Sequence, residues 1–198
     1  MFNSNILKLF FCLLTFFILF SSDIFSQRKV FISPKFSIDL AGNHSVSLQE
    51  QKGDLSVNTG YSIGFEVVSN QNETFNLGGG LSYLFPREQE VEGSGKFNFI
   101  PIYAIGNLEL TKDENIDLSI ILNVGYNVIF NGDKNYRDIL SLSGGLLLGG
   151  GIRYRNNLLF IEALYKSFGG SARFENPDTK IEFDINYTTL SLGIGLLI

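Results

Sequence analysis

Few residues in this 198-residue sequence have the type and spacing to do chemistry. His44 is the single histidine and Cys12 the single cysteine. One imidazole cannot assemble a histidine-rich metal site, and one thiol cannot complete a disulfide or a thiolate site. As a general base His44 would need a nucleophile within hydrogen-bond reach. It falls in a long connection between Gly42 and Ser56, where a solvated histidine is the plainer reading. The glycine clusters Gly78–Gly80 and Gly149–Gly151 suggest phosphate cradles. A phosphate loop, however, must open a helix and carry Lys-Ser or Lys-Thr, and neither cluster does. In Gly93-Ser94-Gly95-Lys96 the next residue is Phe97, where a hydroxyl is needed. Glu88, Glu90 and Glu92 beside Arg87 have the charge to attract divalent cations, but more simply keep a loop wet. No catalytic residue, cofactor or metal is assigned.

The charges that alternate with apolar residues are more informative. Glu162 and Lys166 oppose Leu159, Ile161, Ala163 and Tyr165, and Asp117 opposes Leu118, Ile120, Leu122 and Val124. A period of two places successive side chains on opposite faces of a strand. Eight such segments occur, at about Val30–Ala41, Val57–Val68, Thr74–Phe85, Lys96–Leu110, Asn115–Phe130, Leu142–Tyr154, Leu158–Phe168 and Asn186–Ile198. In the fourth, Phe97, Phe99, Tyr103 and Ile105 share a face while Ile100 and Ile102 oppose them, and Pro101 suggests a bulge. The connections alternate long and short. Gly42–Ser56, Pro86–Gly95, Asn131–Ser141 and Gly169–Glu182 are long; Ser69–Glu73, Thr111–Glu114 and Arg155–Asn157 are short.

The first 26 residues are expected to be a cleaved signal peptide: Lys8, an apolar run from Leu9 to Phe20, then Ser21, Ser22 and a cut after Ser26. That run is short of the ~20 residues a spanning helix needs. Residues 27–198 then form one domain without cysteine, which suits an oxidising compartment. The net charge of −5 is unchanged by the cut, since the leader carries Lys8 and Asp23, and it argues against nucleic acid, which wants a basic face. The rest of the chain has no apolar run long enough for a helical span. Strands of a barrel remain open to it.

The last stretch, NYTTLSLGIGLLI, resembles the C-terminal assembly signal of bacterial outer-membrane barrels. Ser191, Gly193, Leu196 and Ile198 fill its four places, with isoleucine last where the family usually has an aromatic residue. Strand number, loop parity, leader and this pattern together make Val30–Ile198 similar to the small eight-stranded barrels of the OmpA transmembrane-domain and OmpX kind. The resemblance implies an all-β, eight-stranded antiparallel up-and-down transmembrane barrel with both termini in the periplasm. Its surroundings would be outer-membrane lipid, and its partners the barrel-insertion machinery and an envelope or extracellular protein. A closed sheet leaves no edge unpaired in lipid, and eight strands enclose a space that side chains fill.

Glycine, serine and asparagine on the inner faces suit that space. The inward charges Lys35, Asp39, Glu66, Asp117, Arg153, Glu162 and Lys166 must pair with one another as a salt-bridged plug, or else line a gated ion path. Arg155 reads as a turn residue. Tyr61, Tyr83, Phe85, Phe97, Phe130 and Tyr165 are expected at the outer rim, and Phe31 and Tyr154 at the inner one. The outer-membrane palmitoyltransferase also has a first-loop histidine, but pairs it with Asp-Ser, and no Asp here precedes Ser. The lipid deacylases and phospholipases of this architecture carry a His–Ser pair on a strand, and no expected strand here holds a histidine. The expected function is therefore a non-enzymatic outer-membrane scaffold whose loops serve envelope integrity, adhesion or partner binding. A narrow pore, a subunit of a secretion or assembly complex and a lipid-modifying enzyme are the alternatives.

Overall fold

The computed structural model describes residues 30–48, 51–72, 74–88, 96–111, 117–131, 140–156, 158–176 and 179–198. The expected leader lies outside them, as do Glu90 and Glu92. The described residues form ten strands: β1 Val30–Asp39, β2 Gly42–Leu48, β3 Gln51–Val57, β4 Gly60–Asn70, β5 Phe75–Glu88, β6 Lys96–Glu109, β7 Asp117–Asn131, β8 Leu140–Arg155, β9 Leu159–Asn176 and β10 Thr179–Leu196. β4 to β10 follow one another in the sheet, β1 lies beside β4, and β1 also pairs with β10. This last pairing closes an eight-stranded antiparallel barrel. Lys35 stands opposite Gly195 and Asp39 opposite Ser191 along the seam. Ile32 and Ile198 exchange backbone hydrogen bonds of 3.0 and 2.9 Å at its end.

The short connections are closed by side-chain oxygens. Asn72 Oδ1 accepts from the amides of Thr74 and Phe75 at 2.9 and 2.8 Å. Asn156 Oδ1 accepts from Leu158 and Leu159 at 3.1 and 2.9 Å. Asparagine mimics a turn of backbone in this way, which fixes the hairpin register without a long loop. We call this the turn end of the barrel and the opposite one the loop end.

Two of the expected long loops are strands. Gly42–Leu48 and Gln51–Val57 pair antiparallel as β2 and β3, and β2 pairs with residues 184–188 of β10. The connection expected at Gly169–Glu182 continues β9 and β10 in register as far as Asn176 and Thr179. Both stretches alternate only briefly, Val46 and Leu48 against Ser45 and Ser47, and Ala172 and Phe174 against Ser171 and Arg173, too little to mark a span beside their Gly, Ser, Asp and Pro residues. Backbone pairing orders them.

The ambiguous segment, β6, is settled by burial. Phe99, Tyr103, Ile105 and Asn107 are buried, while Ile102 and Leu108 are exposed. Its register with β7 runs unbroken through Pro101. The irregularity expected there falls in β5 between Leu84 and Arg87, beside Pro86, and a second lies in β8 between Gly144 and Leu147.

The interior is tight enough that one glycine sets a side-chain position. A Cβ on Gly80 would lie 2.5–2.7 Å from atoms of the Tyr103 ring, which crosses the lumen there. Gly80→Ala is therefore expected to destabilise the folded barrel by about 1–3 kcal/mol through overpacking. Urea unfolding measures it, with Gly79→Ala as the control, since a Cβ there meets only a carbonyl oxygen at 3.5 Å. Equal effects of the two substitutions would mean that the Tyr103 ring moves aside freely.

Candidate functional site

Four strands send one charged side chain each to a common point inside the barrel: Lys35 from β1, Glu66 from β4, Arg153 from β8 and Glu162 from β9. Lys35 Nζ reaches Glu66 Oε1 and, at 3.0 Å, Glu162 Oε1. Arg153 Nη2 donates to Glu66 Oε2 at 2.7 Å and to Glu162 Oε2 at 2.5 Å, and its Nε to the latter at 3.1 Å. Tyr103 donates its hydroxyl to Glu66 Oε1 at 2.9 Å. All four carboxylate oxygens thus accept at least one hydrogen bond, and two positive charges meet two negative ones. The guanidinium also stacks on Phe160, 4.0 Å from the ring centroid. The four charged side chains are at most 5% exposed. Charges this buried persist only when paired and hydrogen-bonded. Chemically the arrangement is a saturated, neutral lock.

Of the other expected lumen charges, Lys166 and Asp39 lie farther toward the loop end. Lys166 Nζ donates to Ser191 Oγ at 3.0 Å and stands 3.9 Å from Asp39 Oδ1. Asp117 does not join the central group. It pairs with Arg155, which also reaches Glu109 Oε1 at 3.1 Å, so Arg155 is a strand residue of a separate cluster at the turn end. Above Lys166 the filling becomes aromatic. Phe99, Phe168 and Tyr187 stack with centroids 5.6–5.8 Å apart, among buried Leu84, Ile129 and Leu147.

Tyr103, Glu109 and Phe160 were missed by the sequence reading. Asn107 and Glu109 share the odd parity of Tyr103, and that polar tail marks the inner face of β6. Phe31 also departs from its expected rim position: it has inward parity, and Arg155 lies over its ring at 5.5 Å. Tyr61, Phe85, Tyr154 and Tyr165 do face outward, whereas the side chains of Phe97 and Phe130 lie outside the described set. In the last strand Ser191 and Gly193 face the lumen and Leu196 and Ile198 face out. His44 lies on β2, opposite Tyr187 in the ladder, and its side chain is likewise outside the described set.

No family model matches the chain. Among solved structures it is similar to the outer membrane protein OprG of Pseudomonas aeruginosa, with a TM-score of 0.56 and 16% identity over 85% of this chain and 95% of that one. It is also similar to the outer membrane protein AlkL in DMPC bilayers, with a TM-score of 0.54 and 10% identity over 86% and 90% of the two chains. This chain has the fold of the small outer-membrane β-barrels. Such a barrel puts lipid where a soluble protein puts water, and the outward faces here are accordingly apolar: Leu122, Leu146, Ile152, Ile161 and Tyr165 are each more than half exposed. A stretch of 117 residues is 31% identical to part of the adenine deaminase of Methanocaldococcus jannaschii. The chain spans only 20% of that curated relative's length.

Proposed function

We propose that this protein is a non-enzymatic scaffold of a Gram-negative-type outer membrane, with a filled barrel as its anchor and the loop end as its contact surface. The observation that carries the reading is the inverted polarity of the wall: ion pairs inside, branched and aromatic side chains outside. A continuous apolar exterior of this kind is an interaction surface, and on a closed sheet it fits hydrocarbon. The lumen is blocked in turn by the Lys35–Glu66–Arg153–Glu162 lock and by the aromatic stack, which supports an anchor in preference to a pore. Beyond the wall, β9, β10 and the β2–β3 hairpin make a sheet that supports a role in holding an envelope or extracellular partner. The outward Leu196 and Ile198, with inward Ser191 and Gly193, fit recognition by the insertion machinery.

Leu122, near the middle of β7 and 61% exposed, supplies the test. In vesicles, Leu122→Arg is expected to destabilise the full chain by about 2–4 kcal/mol, the cost of a cation at the bilayer midplane. The same substitution on a water-facing surface stays within about 0.5 kcal/mol. The intact chain should also add no conductance to a planar bilayer. A neutral Leu122→Arg overturns the membrane assignment, and steady ion current overturns the filled anchor.

A further inference from the structure

At the turn end the interior opens into a recess bordered by Asn76, Asn107, Glu109, Asp117 and Arg155. Asn76 and Asn107 face each other across the β5–β6 ladder, and Asp117 and Arg155 across β7–β8. Asn76 Nδ2 donates to Glu109 Oε1 at 2.6 Å, and Arg155 reaches that same oxygen and Asp117 Oδ2. Among the described residues these contacts engage one oxygen of each carboxylate and leave Glu109 Oε2 and Asp117 Oδ1 as further donors to a ligand. Among those residues one arginine stands against two carboxylates, which makes the recess negative. Arg153 also borders it, but its guanidinium is committed to Glu66 and Glu162.

A second observation is independent of this charge. The amide oxygens of Asn76 and Asn107 are buried and accept no hydrogen bond among the described residues, although the two side chains belong to residues only 1% and 6% exposed. A buried carbonyl oxygen without a donor is destabilising, so such a group in a native fold calls for an ordered water or an ion. Here the two asparagines come from neighbouring strands and line the same recess as the carboxylates.

We infer that this recess is a binding site for a hard divalent cation of the calcium class, with Asn76 Oδ1, Asn107 Oδ1, Glu109 and Asp117 as its oxygen donors. The donor set contains no nitrogen or sulfur, which disfavours zinc. Amide carbonyls and carboxylates drawn from three strands fit the loose, high-coordination shell of calcium better than the strict octahedron of magnesium. Asp117 and Glu109 sit at the ends of their strands, within reach of water, so an ion can enter from the turn end.

The probe is calcium chloride against a chelator, with the full chain folded in detergent and its melting followed by circular dichroism. Calcium is expected to raise the melting temperature saturably, shifting the folding equilibrium about 100-fold at a hundred times its dissociation constant. Asn107→Leu removes the orphan oxygen at similar volume. It should melt at or above the parent in chelator and bind calcium at least tenfold more weakly. Glu109→Gln, checked for folding by its unheated gel mobility, should weaken binding in the same way. The proposal is overturned if calcium leaves the parent unmoved, if Asn107→Leu responds as the parent does, or if Asn107→Leu melts lower in chelator. The last result would assign the oxygen to an ordered water.

Discussion

Arg153→Met is expected to lower the unfolding free energy of the reconstituted barrel by about 3–5 kcal/mol, the cost of leaving a buried charge without its partner. Arg153 forks between Glu66 and Glu162, supplying the sole donor among the described residues to one oxygen of each, and both carboxylate side chains are at most 1% exposed. Without it Lys35 alone faces two buried carboxylates, which then repel across the lumen. Methionine keeps the packing on Phe160 and so isolates the charge from the side-chain volume. The cause is tested by the second half of a double-mutant cycle. Glu162→Gln removes the surplus negative charge, so the double variant should recover part of the loss, with a coupling of about 1–3 kcal/mol. Arg153→Lys should recover less than full stability, because an ammonium cannot occupy both carboxylates with a planar fork. Urea titration in vesicles, followed by the gel mobility of the unheated protein, reads all of these variants. A loss below about 1 kcal/mol for Arg153→Met would mean that water or a rearranged Lys35 restores the missing bonds.

The barrel and the members of this lock were legible in the sequence for one physical reason. Where lipid or a tight lumen acts on a strand, the alternation of side chains becomes a chemical alternation. β7 illustrates it: Leu118, Ile120, Leu122, Val124 and Tyr126 point out while Ser119, Asn123 and Asn127 point in. The pattern failed where that force is absent. β2 and β3, and the ends of β9 and β10 toward Asn176 and Thr179, alternate only briefly, so their order rests on pairing partners that a single strand does not encode. It failed again in β6, where apolar residues occupy both faces. Phe99, Tyr103 and Ile105 fill the interior while Ile102 and Leu108 face outward, and the polar end at Asn107 and Glu109 carried the answer.

Which charges meet was less legible than which charges face inward. Asp117 shares its parity with the lumen set yet pairs with Arg155, because those two residues are directly opposed at the turn-end limits of β7 and β8. The register of β7 against β8 decides that pairing, and pairings across the lumen depend on barrel shear, a property of closure rather than of any segment. The same holds for Lys35, which meets Glu66 and Glu162 at sequence separations of 31 and 127.

Phe168→Ala is expected to cost about 3–5 kcal/mol, the loss of a large buried side chain together with the cavity it leaves. Phe168 is 1% exposed and is stacked with both Phe99 and Tyr187, so its removal strips one face from each neighbour. The surroundings have little freedom to collapse. Phe99 and Tyr187 are borne by β6 and β10, whose positions are fixed by ladders on either side, and a closed wall cannot contract around a void as a loop can. Phe168→Leu should recover much of the loss, since it restores volume without the ring. The position of the loss also matters. If the aromatic stack seals the loop end of the lumen, Phe168→Ala should lower stability while leaving the effect of Arg153→Met intact, because each acts on a different layer of the filling. A cost below about 1 kcal/mol would place water in that layer already, and the barrel would then be closed by its ion pairs alone.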